Sequence, residues 1–127
     1  MLERFITHYI IALLSLTSAS SDGTPLDQDH DETDIAPEAM ALIRKDCEGF
    51  FDTHFDSITC EGAPTYPPDN SDEIEIAAHD FWLTRNGHGA GFWDGDWPEP
   101  QATILTEAAH GYGESDPYIG DDGKIYI

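Results

Sequence analysis

Between Pro37 and Ile58 the apolar residues Met40, Ile43, Cys47, Phe50, Phe51, Phe55 and Ile58 recur at steps of three and four. That is the period of an α-helix with one buried face, and such a face needs an apolar partner layer elsewhere in the chain. Pro37 suits the first helical position, Asp34 lies just upstream as a candidate capping side chain, and Glu38 favours the positive end of the helix dipole. The opposite face carries Asp46, Glu48, Asp52 and Asp56, so the segment is predicted to present an acidic ridge to solvent.

The ridge belongs to a wider imbalance of 26 Asp and Glu against 5 Lys and Arg, a formal charge of −21 on 127 residues. Residues 1–20 are neutral, residues 21–75 carry −14, and residues 76–127 carry −7. Aromatic residues make up 11% of the chain, which is enough for a core and argues against a wholly disordered polymer. The length accommodates one domain, residues 1–127, with a modest core. Direct binding to nucleic acid or to an anionic membrane is not expected, because both would repel this surface. Cationic partners are the natural ones. A compact domain of this length has a radius of gyration of about 14 Å and a diameter of roughly 35 Å. Duplex DNA carries one phosphate per about 1.7 Å of axis, so that span holds roughly 20 charges, or about ten base pairs. Mimicry of DNA is physically feasible, although an acidic surface also serves solubility alone.

Ahead of the long helix, residues 1–20 admit two readings. Arg4, the apolar run from Tyr9 to Leu16, and Ser18-Ala19-Ser20 resemble a secretory signal with a small-residue cleavage site. Phe5, Tyr9, Leu13 and Leu16 also form one stripe of an amphipathic helix, and Glu3 cancels the charge of Arg4. The run is too short to span a membrane. Residues 21–36 form an acidic loop punctuated by Gly and Pro, and residues 62–75 a flexible connection rich in Pro, Asn and Asp. A hairpin is expected over about 80–94 and a short helix from Gln101 to His110, ending at Gly111. A second hairpin from Asp116 to Ile127 turns on its Asp-Gly pair. The expected fold is α+β: two N-terminal helices and a short third helix packed on a small, mainly antiparallel sheet of two hairpins.

Few patterns carry chemistry. Asp27, Asp29, Asp31 and Glu38 occupy positions one, three, five and twelve of a calcium loop, but Glu32 replaces the glycine of position six and Pro37 interrupts the exit. A solvated acidic loop is the expectation there. His79, His88, Asp94 and Asp96 are metal-ligand types, yet a hairpin would carry His88 to its far tip. His79 is read instead as a hydrogen-bonded side chain at the start of a strand. Cys47 and Cys60 fit no zinc spacing and are too few for a disulfide scaffold, so both are expected as reduced thiols. No nucleophile motif is present, and the glycines of NGHGAG read as turn chemistry rather than a phosphate cradle. Pairing Leu83 with Phe92 would set Trp82 across from Trp93 and bury both faces of the first hairpin. Arg85, a lone cation beside it, is a candidate internal salt bridge.

The stretches SSDGTPLD (20–27), DIAPE (34–38), Asp46-Cys47 with Phe50, HDFWLTRNGHGAGFWD (79–94) and LTEAAHGYGESDPYIGDDGKIY (105–126) resemble a family of small acidic proteins of unknown function encoded by tailed bacteriophages. The resemblance implies a source class and a mature first helix at residues 5–18. It carries over no catalytic residue or ligand. The chain departs from the family pattern in its more apolar start, IIALLSL, and in GDWPEP after the tryptophan block, where relatives tend to be basic and glycine-rich.

The expected function is non-enzymatic: an acidic DNA-mimic-type inhibitor of a basic host DNA-binding or defence protein, such as one of restriction, CRISPR interference or repair. No cofactor, metal or catalytic residue is assigned, and the expected location is the host bacterial cytoplasm, with secretion as the alternative. The partner surface would use Asp27, Asp29, Asp31, Glu32, Asp34, Asp46, Glu48, Asp52 and Asp56. An alternative is a phage structural or accessory protein docking through the aromatic hairpin, with Trp82, Arg85, His88, Trp93 and Trp97 as contacts. A metal-binding protein or metal-dependent enzyme ranks third.

Overall fold

The computed structural model describes residues 1–18, 23–58, 73–93 and 97–127. Among these the chain is mostly helical: α1 (Leu2–Leu16), α2 (Pro37–His54), α3 (Glu73–Arg85) and α4 (Gln101–Gly111). A two-stranded antiparallel sheet follows, β1 (Tyr118–Ile119) with β2 (Ile125–Tyr126). Tyr118 pairs with Tyr126 and Ile119 with Ile125. Gly123, at φ 79°, takes the left-handed position in the turn, as the Asp-Gly pair predicts.

α1 packs most extensively on α3 and also on α2, while α3 packs on α4. Phe5, Tyr9 and Leu13 of the predicted α1 stripe are buried, whereas Leu16 at its end is exposed. From α2, Ile43, Cys47, Phe50 and Phe51 enter the same core and Phe55 stays outside. Phe50 stacks on Phe81 with ring centroids 4.1 Å apart, and Phe5, Phe92 and Tyr112 close around that pair. The acidic loop is tied down at both ends. Leu26 donates its N–H to Thr17 O, and Ala36 donates to Ile125 O at 2.9 Å.

Among the described residues a helix stands where the first hairpin is expected, and this is the main correction to the fold. Residues 73–85 are helix, including Glu73–Glu75 of the expected flexible connection; the rest of that connection, with Cys60, lies outside the described residues. The physical reason is burial. α3 lies between α1 and α4, buries Ala77, Ala78, Asp80, Phe81, Trp82, Thr84 and Arg85, and leaves its other residues half-buried, none fully exposed. A helix covered nearly all round has no polar face, so its sequence lacks the helical period that reveals an amphipathic segment. The adjacent Phe81 and Trp82 then suggest a strand.

The turn residues are used, but for another purpose. Gly87, at φ 70°, donates its N–H to Thr84 O at 3.2 Å, and His88 donates to Leu83 O at 3.0 Å. These two bonds make a Schellman cap that ends α3. Beyond it the chain folds back so that Phe92 N–H donates to Thr84 Oγ1 at 3.1 Å and the Phe92 ring enters the core. Gly91 permits this approach, because a Cβ there would overlap Thr84 Oγ1. Trp82 therefore faces Tyr9, edge to face at 5.5 Å, and is not paired with Trp93. His79 correspondingly sits within α3 and not at a strand start.

Candidate functional site

Among the described residues the one buried Lys or Arg is Arg85, the last residue of α3, and it joins four parts of the chain. Its Nη1 donates to Asp46 Oδ2 on α2 at 3.0 Å and to Tyr9 Oη on α1 at 3.1 Å. Nε donates to Gly113 O at 2.8 Å and Nη2 to Tyr112 O at 3.2 Å, just past α4. The guanidinium also lies over the Phe81 and Tyr112 rings. Only a planar, forked donor reaches this many acceptors at once. Burial pushes the Tyr9 phenol well above its ordinary range, and it raises the Cys47 thiol, with the Asp46 charge adding to the effect. Neither group is ionised at neutral pH, so neither is activated for nucleophilic chemistry.

This node changes the standing of two expected contacts. Arg85 is enclosed, and Asp46 is turned toward it as a structural partner, not outward as one more charge on the ridge. Trp82 and Trp97 are also enclosed, and Trp97 Nε1–H donates to Asp80 Oδ2 at 2.7 Å, an internal pair that sequence reasoning did not single out. Of the expected aromatic contacts, Trp93 (53% exposed) and His88 remain at the surface.

The other carboxylates fall into two groups. On the loop, Asp27, Asp29 and Glu32 are exposed. Asp31 accepts from the Thr33 N–H at 2.9 Å and from its hydroxyl, which holds its carboxyl below the usual range. Asp34 Oδ2 accepts from Asp31 N–H at 3.1 Å and lies 3.3 Å from His30 Nδ1. Those two side chains thus form a capping box for a short 3₁₀ turn, Glu32–Asp34. Glu48 and Asp52 toward the far end of α2, and Asp56 in the 3₁₀ turn Phe55–Ser57 after it, are exposed. Arg44 and Lys45 share a shallow groove with Glu48 and Asp52, so cations adjoin the predicted ridge. Arg44 is itself paired with Glu3 of α1, and this pairing lowers the Glu3 carboxyl.

A third group links α1 to α3. Arg4 Nη2 lies 2.7 Å and His8 Nε2 3.3 Å from Glu75 Oε1, and the His8 and His79 rings are 6.2 Å apart. Burial first, then His8, lower the His79 imidazole. Among the described residues no three His, Cys, Asp or Glu side chains converge as a metal site would require. Asp31 is engaged in its cap, and His88 lies beyond the end of the helix that carries His79; Asp94 and Asp96 lie outside the described residues.

Trp93 borders a surface pocket of about 230 Å³ whose other wall is α4 and the turn before it. Glu99, Thr103, Thr106 and Glu107 line it at helical spacing, and Thr103 Oγ1–H donates to Glu99 Oε2 at 2.6 Å. The i, i+4, i+8 spacing of Glu99, Thr103 and Glu107 is visible in the sequence, but only the fold sets Trp93 beside it.

No family model, curated protein or solved structure matches this chain. No helix among the described residues is long and apolar enough to cross a membrane.

Proposed function

We propose that the protein is a non-enzymatic binder that occupies the cationic, DNA-contacting surface of another protein, acting as a phage-encoded inhibitor in the bacterial cytoplasm. The observation that carries this reading is the fate of the cations. Of five Lys and Arg, three (Arg4, Arg44 and Arg85) are engaged with Glu75, Glu3 and Asp46, while Asp27, Asp29, Glu32, Glu48, Asp52 and Asp56 remain exposed. Exposed carboxylates on ordered elements attract a basic surface and accelerate encounter with it. The exposed acids form a loop set, Asp27, Asp29 and Glu32, and a set at and just past the end of α2, Glu48, Asp52 and Asp56. Glu48 and Asp52 on α2, with Asp56 in the 3₁₀ turn Phe55–Ser57 that follows it, supply three charges over about 12 Å, where duplex DNA carries roughly seven. The mimicry therefore draws on both sets and not on a single phosphate-like row.

The test is capture of partners from a bacterial lysate on the immobilised full-length protein, followed by competition with duplex DNA at several salt concentrations. The expected result is a DNA-binding protein that duplex DNA displaces and whose retention falls steeply with salt. A salt-resistant partner that DNA does not displace overturns the proposal. That outcome would favour the reading of an accessory protein docking through an aromatic contact, for which the exposed Trp93 is the supporting observation.

A further inference from the structure

We propose that the pocket between Trp93 and α4 is a receptor for a guanidinium group, the side chain of an arginine presented by the partner. The proposal rests on the reading of the chain as a binder of cationic surfaces and names the chemical group by which one contact is made.

Three features of the pocket converge on this ligand. Trp93 is half exposed, while Trp82 and Trp97 are buried, so it is the tryptophan that a ligand can reach. An indole face is the strongest of the side-chain partners for a cation, and a planar guanidinium stacks on it. Glu99 and Glu107 stand two helical turns apart along the opposite wall, and among the described residues neither is paired with a cation. A guanidinium stacked on the indole still has N–H donors around its edge for carboxylates. Thr103 holds the Glu99 carboxylate by its hydroxyl, which fixes one acceptor before the ligand arrives. Thr106 lies in the same wall. A neutral apolar group would meet the indole but leave the two carboxylates unanswered. An anion would be repelled.

The experiment titrates the full-length, ¹⁵N-labelled protein with N-acetyl-arginine methylamide and, at the same ionic strength, with the neutral citrulline analogue. The Trp93 indole N–H resonance, assigned by its loss in Trp93→Phe, is the readout. A saturable shift with the arginine compound, absent with citrulline and reduced about two- to fivefold in affinity by Glu107→Gln, supports the pocket. An unmoved indole resonance, or an equal response to citrulline, overturns it. The two proposals fail separately. If the captured partner is displaced by DNA yet binds Trp93→Leu and Glu107→Gln as tightly as the parent, the pocket is refuted and the function stands. If the arginine compound saturates the pocket while no DNA-binding protein is captured, the function is refuted and the pocket stands.

Discussion

Replacing Arg85 with methionine keeps the length of the side chain and removes its charge and donors. Removing one member of a buried ion pair costs about 3–5 kcal/mol. Asp46 retains 29% side-chain exposure, so water recovers part of its solvation and the lower end, about 3 kcal/mol, applies. The Tyr9 hydroxyl, whose residue is 1% exposed, loses its partner at a further cost of about 1 kcal/mol. The carbonyls of Tyr112 and Gly113 lie nearer to solvent and add little. The sum is about 4 kcal/mol. With an unfolding entropy of about 2.1 cal/mol/K per residue, that lowers Tm by roughly 15 °C. Urea unfolding followed by circular dichroism measures the loss directly, and Arg85→Lys, which keeps the charge without the fork, should fall between the parent and Arg85→Met. A double-mutant cycle with Asp46→Asn should give a coupling well above about 0.5 kcal/mol. A loss below about 1 kcal/mol for Arg85→Met, or additive effects of the two substitutions, would refute the reasoning.

Asp52→Asn and Asp56→Asn should act in the opposite sense to Asp46→Asn, holding or raising stability at low salt while weakening partner capture; a stability loss as large as that of Asp46→Asn would contradict their placement on the open surface. Gly91→Ala should cost about 1–3 kcal/mol because its Cβ meets Thr84, whereas Gly89→Ala, with open space around it, should lie within about 0.5 kcal/mol of the parent in the same urea assay. Deleting residues 1–17 removes Phe5, Ile6, Tyr9, Ile10, Leu13 and Leu14 from the core, and at about 1.5–3 kcal/mol each the loss, roughly 9–18 kcal/mol, is as large as the whole stability of an ordinary domain, so the truncated chain should not fold; a dispersed, native-like NMR spectrum from it would disprove this. Burial lowers His79 and His54 in the folded state, so the unfolded chain binds those protons first as pH falls. Their stability contribution is complete above the unfolded value of about 6.5 and is lost as pH drops through the lowered folded values. His79→Asn should flatten the stability slope just below pH 6.5, and an NMR titration placing His79 at or above its ordinary value would sink the assignment.

The parts of the fold that were legible in the sequence are those with one dry and one wet side. In α2, Ile43, Cys47 and Phe50 alternate with Glu48 and Asp52, and the period shows through. α1 has the Phe5, Tyr9 and Leu13 stripe, α4 ends where its glycine suggests, and the terminal hairpin turns on Asp122-Gly123 as read. α3 was not legible, because none of its residues is fully exposed and the lack of a wet face erases the pattern that distinguishes helix from strand. The same limit applied to the candidate site. Trp82, Trp93 and Trp97 are one residue type in one short block, yet two are enclosed and one is open, a difference set by which helix each one meets.

From the sequence alone follow the excess of carboxylates, the amphipathic helices, the helix-ending and turn-forming glycines and the lack of nucleophile motifs, since each depends on residue type or short-range spacing. Which charges remain outside was decided by the tertiary structure. Asp46 and Glu48 are two positions apart on α2, but the first is turned to a buried guanidinium carried by a helix 39 residues further along the chain, and the second is turned to water. Local spacing assigns a residue to a face of its own helix. Only the packing of α1, α3 and α4 around that helix determines what the face meets.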